Sequence, residues 1–143
     1  MASVRQLLDQ KGHQVWSIPP DATVYDALRL LAERDIGALL VIQGEQLVGI
    51  LSERDYARKV ILKGKSSMKT AVREIMTARV VVIEPERSVE DAMALMTEKH
   101  LRHLPVAEND KVIGLVSIGD LVKAKIADQR FIIAQLERYI SGT

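Results

Sequence analysis

The chain repeats itself, and that constrains its fold more than any other feature. Shifted by about 65 residues, the segment VWSIPPDATVYDAL at Val15–Leu28 lies on VVVIEPERSVEDAM at Val80–Met93 without a gap. Val15, Ile18, Pro20, Val24, Asp26 and Ala27 meet Val80, Ile83, Pro85, Val89, Asp91 and Ala92. The same offset pairs Gly49 with Gly114, Ser52 with Ser117, and Asp55 with Asp120. Two lead-in segments, VRQLL at Val4 and VREIM at Val72, match at a slightly different spacing. An internal repeat of this length implies two copies of one supersecondary unit. A unit of about 60 residues alone buries only about 60% of its surface, so the two copies are expected to pack together.

Each copy has the same pattern of elements. A short apolar run (Val15–Ile18; Val80–Ile83) stops at a proline. A helix follows, opened by Thr23 or Ser88 with an aspartate three residues on, as in a capping box. Val24, Ala27, Leu28 and Leu31, and likewise Val89, Ala92, Met93 and Met96, fall at i, i+3, i+4 and i+7, which marks one buried helix face. A hairpin comes next: Leu39–Ile42 and Leu47–Leu51 around Gln43-Gly44-Glu45, and Leu104–Ala107 and Val112–Val116 around Glu108-Asn109-Asp110. A second helix opens at Ser52 or Ser117 and is expected to run to about Leu62 or Ala127. The fold class is therefore α/β (α+β), strand-helix-strand-strand-helix twice. The expected boundaries are repeat one over 1–65, a linker over 66–71, repeat two over 72–127, and a separate C-terminal helical extension over 128–143. Ile132, Leu136, Tyr139 and Ile140 line one side of that extension, as a lid on the core or as a dimer contact.

Composition excludes several classes of function. Hydrophobic residues are 48% and charged residues 27%, so the chain is globular rather than disordered. A net charge of +1 and 3% aromatics give neither the basic field nor the stacking platform of a nucleic-acid binder. The absence of cysteine excludes disulfides and thiolate metal sites and fits a cytoplasmic setting. No apolar run reaches the roughly 18 residues of a membrane helix, and Met-Ala-Ser-Val-Arg does not begin a signal peptide.

The chemical motifs reduce to one pair. Gly64-Lys65-Ser66 resembles the end of a phosphate loop, but Lys59 stands where that loop needs glycine. His13, His100 and His103 have no partner at metal-ligand spacing. Ser52, His103 and Asp55 can be written as a hydrolytic triad, but Ser52 lacks a glycine-flanked elbow, so no enzyme is expected. What remains is Ser52-Glu53-Arg54-Asp55 and Ser117-Ile118-Gly119-Asp120, each three residues after a glycine and each following the last strand of its repeat. Locally each reads as a capping box. Each also places a hydroxyl and a carboxylate at a helix N-terminus, where free N–H groups favour a phosphate and the acceptor-only carboxylate suits a ribose diol. Arg102 and His103 begin the second strand of repeat two and could donate to phosphate oxygens. Their counterparts, Gly37 and Ala38, cannot.

With these residues in place the chain resembles a tandem pair of CBS domains, the regulatory module named after cystathionine beta-synthase, from about Val4 to about Ala127. The carrying features are the two repeats, the glycine-then-Ser-x-x-Asp endings, and Arg102-His103-Leu104-Pro105-Val106. The resemblance implies two repeats related by a pseudo-twofold axis, with two clefts that bind adenosine-containing ligands (AMP, ADP, ATP, NAD or S-adenosylmethionine). It implies one cleft built from Val82, Ile83, Arg102, His103, Leu104 and Pro105 with Ser52, Arg54 and Asp55. The other would use Ser17, Ile18, Thr23, Ala38 and Leu39 with Ser117 and Asp120. The second lacks the basic pair, so the first is the expected primary site. The implied function is a stand-alone adenine-nucleotide sensor, homodimeric, signalling to a partner protein in trans. The alternative is a ligand-free structural or dimerisation module.

Overall fold

The segments that match in sequence also match in hydrogen bonding. The computed structural model describes residues 2–141; residue 1 of the expected first repeat and residues 142 and 143 of the expected extension lie outside them. The chain divides into two units. One is Val15–Val81, and the other combines the residues before and after it.

In the Val15–Val81 unit, β1 (Ser17–Ile18) pairs parallel with β2 (Ala38–Gln43), which pairs antiparallel with β3 (Gln46–Ser52). Helix α2 (Val24–Arg34) connects β1 to β2. Val24, Ala27 and Leu31 from the expected face are buried in a core with Leu39, Val41 and Leu51. Leu28 packs at its margin. The other unit holds α4 (Val89–Lys99), which buries Val89, Ala92 and Met96, and the hairpin of β4 (His103–Glu108) and β5 (Lys111–Ser117).

The two copies share fine detail. Both hairpins shift register at the same place, between Val41 and Ile42 and between Val106 and Ala107. Helices α2 and α4 both end at a left-handed residue, Asp35 (φ 51°) and His100 (φ 56°). The N–H groups one residue later return to Leu31 O (3.1 Å) and Met96 O (2.9 Å), closing each helix with a Schellman-type bond. The turns differ. Asn109 and Asp110 both take positive φ, as a type I′ hairpin requires, whereas the other turn places Gly44 at φ 63°.

Four expectations change. The run Val80–Ile83 is not a strand but one parallel bridge, Ile83 with Val106. In the first copy, Leu40 N–H donates to Trp16 O at 3.1 Å. The residue matching Leu40 is Pro105, which has no N–H, so the equivalent bond cannot form. Ser88 and Asp91 form a complete capping box, but Thr23 and Asp26 form half of one, with Thr23 Oγ1 accepting from Asp26 N–H at 3.1 Å. The helix after Ser52 is a short α3 (Glu53–Tyr56) that widens into a π-turn over Ala57–Ile61. Finally, the second helix of repeat two and the expected extension are one element, α5 (Ile118–Ile140), 23 residues long. Beyond Gly119 it contains no glycine or proline, so nothing interrupts it.

The lead-in segments exchange places. Helix α1 (Val4–Lys11) groups with the repeat that contains β4 and β5, and Val72–Met76 groups with β1–β3. Val4 N–H donates to Arg87 O and Arg5 N–H to Pro85 O; Val72 N–H donates to Ala22 O and Arg73 N–H to Pro20 O. The matched glycines admit the lead-ins. A Cβ on Gly114 would lie 2.6 Å from Leu8 Cδ2, and one on Gly49 would lie 2.5 Å from Met76 Sδ. The glycine of each Gly…Ser-x-x-Asp ending therefore serves a close approach of two chain segments.

Candidate functional site

Each repeat forms one corner where the first hairpin strand begins and the last one ends. The ladders put Ala38 opposite Ser52 and His103 opposite Ser117. The chain then turns into a helix, held by Glu53 N–H to Gly37 O at 3.1 Å and by Ile118 N–H to Arg102 O at 2.9 Å. Within one unit the structure thus brings Ala38 and Leu39 to Ser52 and Asp55. Within the other it brings Arg102 and His103 to Ser117 and Asp120.

Both Ser-x-x-Asp motifs are complete capping boxes. Asp55 N–H donates to Ser52 Oγ at 3.2 Å, while Asp55 Oδ2 accepts from Ser52 N–H at 2.9 Å and from Ser52 Oγ at 3.1 Å. Lys59, one turn on, lies 3.3 Å from Asp55 Oδ1. Asp120 Oδ2 accepts from Ser117 N–H at 2.8 Å and from Lys11 Nζ at 2.5 Å. Lys11 also donates to Leu115 O at 2.6 Å, so the last turn of α1 holds this carboxylate on the other side. Both aspartates are only partly exposed, with side chains at 15% (Asp55) and 23% (Asp120). That is enough to present an oxygen to a ligand while the cap holds the carboxylate's orientation.

The charges at the second corner are coupled. Burial pushes the Asp120 carboxyl up, but the hydrogen bonds from Lys11 and Ser117 and the Lys11 charge outweigh it, so it lies below the ordinary aspartate range. His103 lies below the usual histidine range. Burial is the main cause, the Lys11 and Arg102 charges add to it, and Asp120 opposes it. His103 is therefore neutral at pH 7 and offers one N–H rather than a positive charge. Arg102 and Arg54 are exposed.

The remaining candidates divide by burial. Ile18, Ile83, Leu39 and Leu104 are core residues, 7%, 6%, 0% and 0% exposed, and Ala38 and Pro105 are buried with them. Ser17 and Val82 are exposed, and Thr23 caps α2. Val82 and Ile83 line an open groove of about 340 Å³ whose rim carries Glu84, Asp91 and Glu98. Arg87 lines the same groove and pairs with Asp91 at 3.2 Å, which leaves Glu84 and Glu98 as its uncompensated acids and gives Val82 and Ile83 an apolar role. Two residues absent from the sequence-derived list contact its aspartates, Lys59 at Asp55 and Lys11 at Asp120. Lys59 was legible as the i+4 partner of Asp55. Lys11 was not, because its place depends on α1 packing against a hairpin about a hundred residues away.

Among the described residues there is no group of three or more His, Cys, Asp or Glu side chains placed to hold a metal ion. Nor is any helix among them long and apolar enough to cross a membrane.

Comparison with known proteins agrees with this architecture. The chain is 43% identical over 136 residues to "CBS domain-containing protein CBSX3, mitochondrial" of Arabidopsis thaliana, covering 92% of this chain and 66% of that protein. It therefore spans just under two thirds of that relative's length. A solved CBS-domain protein from Burkholderia ambifaria matches with 52% identity and a TM-score of 0.86, over 90% of this chain and 96% of that one. At 21% identity, where likeness concerns the fold alone, the CBS domain pair of protein MJ0100, solved with 5′-methylthioadenosine and S-adenosyl-L-methionine, matches with a TM-score of 0.79, over 90% of this chain and 98% of that one. CBS-domain proteins are in general regulatory rather than catalytic. The CBS-domain family model matches residues 5–62 and 72–127, once in each repeat, and the chain belongs to the CBS-domain family.

Proposed function

We propose that this chain is a regulatory module that binds an adenine nucleotide (AMP, ADP, ATP or NAD), works as a homodimer, and passes its ligand state to a partner protein in trans. The observation that carries the reading is the presence of two matching corners, each ending in a Ser-x-x-Asp whose carboxylate is oriented by a cap and keeps a minor part of its surface exposed. A fixed, partly exposed carboxylate suits the two hydroxyls of a ribose. Membership in the CBS-domain family, in which the MJ0100 domain pair was solved with 5′-methylthioadenosine and S-adenosyl-L-methionine, supports the ligand class. The family resemblance, not the hydrogen bonding within either unit, supports grouping Ser52, Arg54 and Asp55 with Val82, Ile83 and Arg102–Pro105 as the primary site, with Arg102 and Arg54 as its cations. The second is assigned to Ser17, Ile18, Thr23, Ala38 and Leu39 with Ser117 and Asp120. Its carboxylate already holds Lys11, so a ligand there must share or displace that ammonium.

A second reading, a structural module that binds no nucleotide, is favoured by one fact: both carboxylates have internal hydrogen-bond partners. A thermal-shift panel separates the two readings. Adenine nucleotide at about 100 times its dissociation constant adds about 2.7 kcal/mol, a rise of roughly 5–10 °C for a chain of this size. AMP, ADP, ATP, NAD and S-adenosylmethionine are expected to include at least one such ligand, with guanine nucleotides as controls. A whole panel that moves the midpoint by less than about 1 °C would establish the structural reading instead.

A further inference from the structure

The first turns of α5 pack into their unit: Leu121 is buried, and Lys125 donates to Glu90 at 2.8 Å. The helix also carries a second apolar line that the described chain leaves substantially exposed, increasingly so toward its end. Val122, Ile126, Ile133, Leu136 and Ile140 are 39%, 43%, 54%, 55% and 81% exposed. With Gln129 they follow alternating steps of four, three, four, three and four residues. That is the a/d spacing of a coiled-coil seam, with Ile126, Ile133 and Ile140 at a and Val122, Gln129 and Leu136 at d.

We infer that this seam is where two copies of the chain meet, with their α5 helices antiparallel. The inference rests on the homodimer reading above and names the surface that makes it. Flanking charges select the occupant and its direction. In a parallel pair, position g of one helix faces position e of the next heptad on the other, which sets Lys125 against Arg130 of the second copy. In an antiparallel pair centred near residue 131, Val122 layers on Ile140 of the second copy, Ile126 on Leu136, and Gln129 on Ile133. The flanks then place Lys123 against Glu137 of the second copy twice, once on each side of the axis. Ile132 meets its own copy, and Arg130 meets Arg130 as the only like-charge flank. Two opposite-charge contacts against one like-charge contact favour the antiparallel pair, where the parallel pair sets Lys125 against Arg130 twice. Such an interface is isologous and closes at two copies.

The natural sequence has no cysteine, so single introduced thiols report the geometry directly. Light scattering on the full chain comes first, and a dimer near twice 15.9 kDa is expected. Leu136→Glu should shift it to monomer without loss of helical content by circular dichroism. Glu137→Lys should weaken the dimer at least tenfold, and Lys123→Glu/Glu137→Lys should restore it. Val122→Cys and Ile140→Cys proteins, mixed after exchange and oxidised, should cross-link to each other. Each alone should not, because positions 122 and 140 lie about 27 Å apart along the helix. A monomeric wild type would overturn both the inference and the homodimer reading. A dimer indifferent to Leu136→Glu would overturn the inference and leave the homodimer reading intact. Self-cross-linking of Val122→Cys would establish the parallel pair and overturn the antiparallel one.

Discussion

Asp55→Ala is expected to weaken binding of the stabilising adenine nucleotide by about 10- to 150-fold. The magnitude follows from losing charge-assisted hydrogen bonds to a ribose diol, roughly 1.5–3 kcal/mol. The same change removes a capping box, because Asp55 Oδ2 accepts from Ser52 N–H. Apo stability should therefore fall by about 0.5–2 kcal/mol as well. The two effects are read separately, affinity by calorimetry and apo stability by denaturant. Asp120→Ala should cost less affinity, since Asp120 is already engaged by Lys11. If Asp55→Ala lowers only apo stability and binds nucleotide as the wild type does, Ser52 and Asp55 are a helix cap without a ligand role.

Leu8→Ala is expected to destabilise the fold by about 2–5 kcal/mol, the cost of emptying a fully buried leucine site. Leu8 is 0% exposed, and its methyl groups occupy the space above Gly114. The midpoint of thermal unfolding should drop by roughly 5–15 °C. The pair Leu8→Ala and Gly114→Ala gives a sharper test. Gly114→Ala alone should cost about 1–3 kcal/mol by overpacking. The double variant should cost less than the sum, because the new methyl group enters the space that Leu8 vacates. Additive costs in denaturant melts would contradict the packing of α1 on β5.

The sequence pattern was informative wherever structure depends on nearby residues. The repeat, both hairpins, the buried faces of α2 and α4 and the caps at Ser52, Ser88 and Ser117 are local matters of period, turn chemistry and capping, and all appear in the structure. Pro105 shows a local signal present but unused: its missing N–H reduces the strand at Ile83 to a bridge. In α5, the match to repeat one suggested a stop near residue 127, but only the first copy has Gly64, at φ 68°, where its helix ends. What local pattern does not carry is the exchange of the lead-in segments. Leu8 on Gly114 and Lys11 on Asp120 link positions more than a hundred residues apart. The candidate site was legible as a list of residues, polar and apolar, at strand and helix ends. Its electrostatics were not, since a neutral His103 and an engaged Asp120 both depend on Lys11 and on burial.

The most direct test of the central claim is a titration of isotope-labelled protein with the nucleotide that most raises its melting point, followed by amide resonances. Nucleotide binding at the two proposed sites predicts saturable shifts of the Ser52–Asp55 and Arg102–Leu104 amides, followed at higher concentration by Ser117–Asp120. Gly44 and Asn109 at the hairpin tips should hold still. Saturable shifts confined to residues outside both corners, or none at millimolar nucleotide, would contradict it.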